Sequence, residues 1–191
     1  MVLYVGRLAA EKNLGLAVRA FRAIVERTPD ARMVFVGDGP LRAELSSQLP
    51  EAIFAGMRTG EGLAAHYASA DVFLFPSLTE TFGNVSLEAL ASGLALVAYR
   101  CAAAAELVCD EENGLLAHAG DEAAFVAQAV RVASDRPLRA RLARGARALA
   151  CEQDWGAVND RFSAELVSVW AEAADVADPM KGGVIASGGR Q

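Results

Sequence analysis

Arg7 and Lys12 lie in the stretch GRLAAEKN, directly after a short apolar run. Gly6 permits a tight exit from that run, Arg7 presents a planar fork that matches phosphate oxygens, and Lys12 adds a point charge just before a helical pattern. Together they suit a diphosphate. Taken alone, the stretch favours a plainer reading, in which Arg7 and Lys12 are solvated or Lys12 pairs with Glu11 or an acidic neighbour, because most loop charges do no more than that.

A second stretch, PSLTETFGNVSLEALASG from Pro76 to Gly93, changes the balance. A strand ends at Pro76, Gly83 gives access to the backbone, and a helix begins at Asn84 or its neighbour. The N-terminus of a helix offers unpaired N–H groups and the positive end of its dipole, which together make an anion site. Glu80 precedes the helix and Glu88 lies in its early turns, so both carboxylates can face one ligand. Acids beside a phosphate site are out of place for a simple phosphate, which they repel. They suit a nucleotide sugar, whose diphosphate takes the N–H groups while its hydroxyls donate to carboxylates, Glu80 on the sugar side and Glu88 on the ribose side. The alternative for this stretch by itself is that Glu80 is an acid at the start of a helix and Glu88 a surface residue.

Elements of regular type must bring the two stretches together. Met1 to Val5 is an apolar run, and Asn13 to Arg27 repeats apolar residues at helical spacing. Arg32 to Val36 is a second strand and GDGP a turn. Leu41 to Leu49 is a helix, with Pro40 in its first turn. Ala52 to Ala55 makes a weaker strand, Gly62 to Ser69 a helix, and Val72 to Phe75 (VFLF) a strand buried on both faces. Asn84 to Ser92 and Leu94 to Ala98 continue the alternation, followed by a short extended segment, Asn113 to Ala117. Helices then take over: Glu122 to Ala133, Pro137 to Ala150 and Trp155 to Ala174. Strands alternating with helices in this way predict an α/β, Rossmann-like, doubly wound parallel sheet with extra C-terminal helices, in which the loops at the carboxyl ends of the strands share one crevice. The expected domain spans 1–174, and residues 175–191, which lose periodicity and gain glycine, form a tail.

The bulk numbers exclude other classes. A net charge of −6 and a pI of about 5.0 leave no broad basic footprint for nucleic acid. Cys101, Cys109 and Cys151 lack metal-site spacing, and His66 and His118 stand apart from them, so no metal site is expected. No apolar run reaches the roughly 18 to 20 residues of a spanning helix, and no signal sequence opens the chain. A cytoplasmic location is expected, with peripheral attachment at the inner membrane through a further domain.

GRLAAEKN, GDGP, FAG followed by HYASADVFLFPS, the Glu80 to Glu88 pair in E-x7-E spacing, and NGLLAHAGD occur in one order from Met1 to about Trp170. In this the chain resembles the C-terminal, donor-binding domain of glycosyltransferase family 4, the glycosyl transferases group 1, enzymes of the GT-B fold. The resemblance implies that Arg7 and Lys12 bind the donor diphosphate and neutralise the leaving group. It gives Glu80 the donor sugar and Glu88 the ribose, and lines the sugar and phosphates with Gly6, Phe82, Gly83, Asn84 and Val85. Met57 is placed against the base. It further implies a retaining, metal-independent hexosyltransferase without cofactor, which takes a UDP- or GDP-sugar and passes the sugar to a lipid or glycan acceptor. Such an enzyme needs an N-terminal acceptor-binding domain, which is expected to be missing from this chain. The alternative is a non-catalytic nucleotide-sugar-binding module that docks a separate acceptor subunit.

The chain departs from the family after the strand at Leu94 to Ala98. It reads YRCAAAAELV, with Ala102 and Ala103 where many relatives have Gly-Gly, and Glu106 retained. Alanine resists positive φ, so a different loop backbone is expected there. His66 and Tyr67 read as packing residues, His118 as loop surface, and the arginines from Arg131 to Arg147 as a solvated helix face. Trp155, Phe162 and Trp170 read as helix anchors.

Overall fold

The structure, a computed structural model, describes residues 1–78 and 84–152, with Ala102, Ala103 and Glu152 described in backbone only. The chain divides into two compact units, Met1–Cys151 and Glu152–Gln191. Apart from Glu152, the second unit lies outside the described residues. So do the expected helix from Trp155 to Ala174, its three aromatic anchors and the expected boundary at residue 174.

The first unit is built on β1 (Val2–Val5), β2 (Met33–Val36), β3 (Ile53–Gly56), β4 (Val72–Phe75), β5 (Ala95–Tyr99) and β6 (Gly114–Ala117), joined by α1 (Leu14–Arg27), α2 (Arg42–Gln48), α3 (Gly60–Ser69), α4 (Asn84–Ala91) and α5 (Ala102–Leu107). Two further helices follow β6, α6 (Glu122–Ser134) and α7 (Arg136–Glu152). The strands form one 6-stranded parallel sheet in the order β3-β2-β1-β4-β5-β6. This is the doubly wound, Rossmann-like α/β arrangement that the alternation predicts.

The side-chain period of two explains why these runs are apolar throughout. In β1, Val2 and Tyr4 enter a core shared with α1, α2 and α6, while Leu3 and Val5 enter the core on the opposite face, shared with α3, α4 and α5. Both faces are covered, so alternation gives way to continuous burial in every strand but β3. β3, one of the two edge strands, is only partly buried, and its pattern is the weakest.

Several boundaries differ from expectation. A 3-10 turn, Ala10–Lys12, precedes α1, and Asn13 links the two at φ 51°, a left-handed conformation that Asn tolerates better than most residues. Pro40 is not in the first turn of α2: Leu41 takes the N-cap position, and Pro40 belongs to the preceding turn. Ala102 and Ala103, where a different loop backbone is expected, lie in a helix. The two alanines begin α5, where the helix needs only negative φ and alanine has the best propensity.

Of the arginines from Arg131 to Arg147, most are exposed, as expected, but Arg139 is half-buried and donates from one guanidinium nitrogen to the carbonyls of Val132 at 3.0 Å and Ala133 at 2.8 Å. It therefore caps the end of α6. Arg131 forms a two-pronged pair with Glu111, and Arg141 reaches the same carboxylate at 3.4 Å. The hydrogen bond from Arg131 holds the Glu111 carboxyl below its ordinary value. A carboxyl depressed in the folded state adds stability above its unfolded pKa and loses it as the pH falls through the folded one. Glu111→Gln is accordingly expected to lower the melting temperature at neutral pH, with the difference from wild type closing in acid. The groups are half-exposed, so the effect stays below about 1 kcal/mol and shrinks with added salt.

Candidate functional site

The sheet order reverses between β1 and β4, which are neighbours although β2 and β3 come between them in sequence. Loops leaving adjacent strands at such a switch point diverge and open a crevice at the carboxyl end of the sheet. Here that crevice is a cavity of ≈ 350 Å³ lined, among the described residues, by Gly6, Arg7, Glu11, Lys12, Asn84 and Val85, with Tyr4, Val5 and Phe75 at its floor. Residues of the two stretches singled out by their chemistry thus share one wall-to-wall space of the size small-molecule sites occupy.

The first loop is held from beneath. Gly6 turns out of β1 at φ 147°, and a Cβ there would lie 2.9 Å from the Tyr4 hydroxyl. That hydroxyl donates to the carbonyl of Arg7 at 3.1 Å, and burial holds the phenol above its ordinary pKa, so it stays a neutral donor. The GDGP turn supports the same loop from the side. Gly6 donates its N–H to Val36 at 2.9 Å, Leu8 donates to Asp38 at 2.9 Å, and Leu41 donates to Leu8 at 2.9 Å. The side-chain amide of Asn13 donates to the carbonyl of Pro76 at 3.4 Å, which ties the first loop to the start of the second.

Arg7 stands on this rigid loop with its side chain 68% exposed and a guanidinium nitrogen 3.6 Å from Glu11. An exposed pair of that length contributes little, and an arriving phosphate can displace it. Lys12 is half-buried at the cavity wall.

Opposite, Asn84 and Val85 bring the beginning of α4 to the cavity. Glu88, one turn further along α4, is exposed and accepts a hydrogen bond on Oε2 from the Tyr67 hydroxyl at 2.8 Å. It is not among the residues lining the cavity. Met57 follows β3 at the carboxyl end of the sheet, 74% exposed and also outside that lining. Glu80, Phe82 and Gly83 lie outside the described residues.

The sequence pattern of the family described as glycosyl transferases group 1 matches residues 1–135. The chain belongs to this family. It is 34% identical over 176 residues to the sulfoquinovosyl transferase SQD2 of Arabidopsis thaliana, a match covering 87% of this chain and 34% of that protein. It is 42% identical over 125 residues to a GDP-mannose-dependent alpha-mannosyltransferase of Mycobacterium tuberculosis, covering 63% of this chain and 31% of that one. Among solved structures, HepE of Anabaena in complex with UDP superimposes with a TM-score of 0.75 at 25% identity, over 87% of this chain and 48% of that one. The fold is thus that of GT-B glycosyltransferase structures. The chain spans about a third of the length of these curated relatives.

Within this glycosyl transferases group 1 domain, two residues emerge that sequence reasoning passes over. Asn13 has a signal, since Asn between a charged turn and a helix is a common left-handed linker. Tyr67 reads as packing, and it is buried, with its ring 6.0 Å from that of Phe73. Its hydroxyl on Glu88 is a tertiary contact without a sequence pattern. His66, half-buried, places Nδ1 2.6 Å from the Gly62 carbonyl within its own helix, in keeping with packing, and His118 is exposed, in keeping with loop surface.

Proposed function

We propose that this chain is the donor-binding domain of a retaining, metal-independent glycosyltransferase that moves a hexose from a UDP- or GDP-sugar to a lipid or glycan acceptor. The observation that carries the proposal is the convergence of Gly6, Arg7 and Lys12 with Asn84 and Val85 on one cavity at the switch point of the sheet. Cationic side chains and the start of α4 together suit a diphosphate.

In this reading Arg7 and Lys12 take up the charge that develops on the leaving diphosphate, the part a bound cation plays elsewhere. The acceptor oxygen attacks the anomeric carbon on the face that the diphosphate leaves. As the carbon–oxygen bond to phosphate breaks, a phosphate oxygen takes the acceptor's proton. Glu80 orients the sugar hydroxyls, Glu88 the ribose hydroxyls, and Met57 borders the base. The acceptor is held by a separate N-terminal domain or subunit, and the enzyme works in the cytoplasm, at the membrane surface when the acceptor is a lipid. A relative named for GDP-mannose and a structural neighbour that holds UDP support testing both nucleotides.

Isothermal titration with UDP, GDP and their sugars is the direct test. One of the two nucleotide series is expected to bind, with pyrophosphate as a weak competitor. A folded protein that binds none of these ligands would falsify the proposal.

A further inference from the structure

We infer that Tyr67 is a positioning residue for nucleotide recognition: from inside the core it fixes the Glu88 carboxylate so that one oxygen is reserved for ligand hydroxyls. The inference rests on the reading of Glu88 as the ribose contact and adds the device that makes this contact selective.

A glutamate side chain on the surface of a helix samples several rotamers, and holding it in one costs entropy at the moment of binding. Glu88 is exposed, yet one of its oxygens is committed. Tyr67 is only 3% exposed and packs against Phe73 on β4, and Phe73 in turn lies 6.4 Å from Phe75, which floors the cavity. A phenol anchored in that aromatic row cannot follow the carboxylate. The carboxylate must come to it. The bond runs 2.8 Å to Oε2, which leaves Oε1 as the acceptor for a donor outside.

Tyr67 is the donor in this hydrogen bond. Burial first, and then the hydrogen bond to Glu88 itself, hold the Tyr67 phenol above its ordinary pKa, so it is a neutral donor at neutral pH. The nearest other acceptor, the carbonyl of Val85 at 3.5 Å, is the poorer partner for the single proton. Preorganisation of this kind raises affinity by removing an ordering cost already met during folding.

The test compares UDP and GDP, whichever the wild-type protein binds, with the 2′,3′-dideoxy form of that nucleotide, in Tyr67→Phe and Glu88→Ala. Phe keeps the ring in place and removes only the donor. Tyr67→Phe is expected to raise the Kd for the ribonucleotide on the order of tenfold and to leave the Kd for the dideoxy form unchanged. Glu88→Ala should do the same, and the double variant should be no worse than Glu88→Ala alone. Tyr67→Phe binding the ribonucleotide like wild type, while Glu88→Ala weakens it, overturns the positioning role and leaves the ribose contact standing. Equal losses for both nucleotides in Tyr67→Phe also overturn it, since a general structural effect would not depend on the hydroxyls. A wild-type protein that does not distinguish the two nucleotides removes the ribose contact itself, and the inference with it.

Discussion

Arg7→Ala is expected to weaken binding of UDP or GDP by roughly 10- to 100-fold while leaving the fold intact. A hydrogen bond to a charged partner contributes about 1.5 to 3 kcal/mol, and each 1.4 kcal/mol is about tenfold in affinity. Arg7 is placed to make such bonds with both prongs of its guanidinium, because its backbone is fixed by the Tyr4 hydroxyl beneath it and by the GDGP turn beside it. What the side chain contributes to the folded state is small by comparison. It is mostly exposed, and its approach to Glu11, at 3.6 Å, is that of a labile surface pair. The melting temperature should therefore move by no more than about 2 to 4 °C. Arg7→Lys should recover part of the affinity, since it restores the charge without the planar fork. Titration of the variants at two ionic strengths checks this, because taking a cation out of the site makes binding of the anionic nucleotide less sensitive to salt. Wild-type affinity in a folded Arg7→Ala protein would remove Arg7 from the site.

What sequence can and cannot convey follows from the range of the interactions involved. β1, β2 and β4 are continuous apolar runs because both faces of the sheet are covered, and such runs show without any partner in view. The switch point follows from the alternation of elements, and with it the meeting of GRLAAEKN and Asn84–Val85. α5 leaves no such trace: Ala102–Leu107 is too short for helical periodicity, and four alanines in succession carry no amphipathic signal. Pro40 falls before α2 and not within it because proline suits the approach to a helix as well as its first turn. Tyr67 shows the firmest limit. Its apolar ring is predictable as core from the helix it sits on, but the aim of its hydroxyl depends on how α3 and α4 pack on the same face of the sheet. Gly37 and Gly39 are legible as turn residues. Their second role, close approach to another loop, appears only once β1 and β2 are side by side.

That second role sets the largest expected loss of stability. Gly37 has φ 133°, and a Cβ there would lie 2.0 Å from the carbonyl oxygen of Gly6 and 2.9 Å from its carbonyl carbon. The atoms in the way are backbone, held by the Gly6 to Val36 hydrogen bond on one side and by Gly37 donating to Gly56 at 2.9 Å on the other. Neither loop can yield without breaking part of the β1–β2–β3 ladder at its carboxyl ends. Gly37→Ala combines a strained backbone, about 1 to 3 kcal/mol, with overpacking against fixed atoms, a further 1 to 3 kcal/mol or so. A fall in melting temperature of roughly 10 °C is expected. The control is Gly15→Ala in α1, where φ is ordinary and the added methyl meets only the flexible end of Arg19 at 3.6 Å. There the helix gains propensity, and the protein should be more stable by about 0.5 kcal/mol. The site would also report the difference. In whatever fraction of Gly37→Ala stays folded, the first loop must move away from the GDGP turn, carrying Arg7 with it. Its nucleotide affinity should therefore fall at temperatures where the protein is still folded, whereas Gly15→Ala should bind like wild type. Equal affinities in the two variants would mean that the loop bearing Arg7 does not depend on the turn for its position.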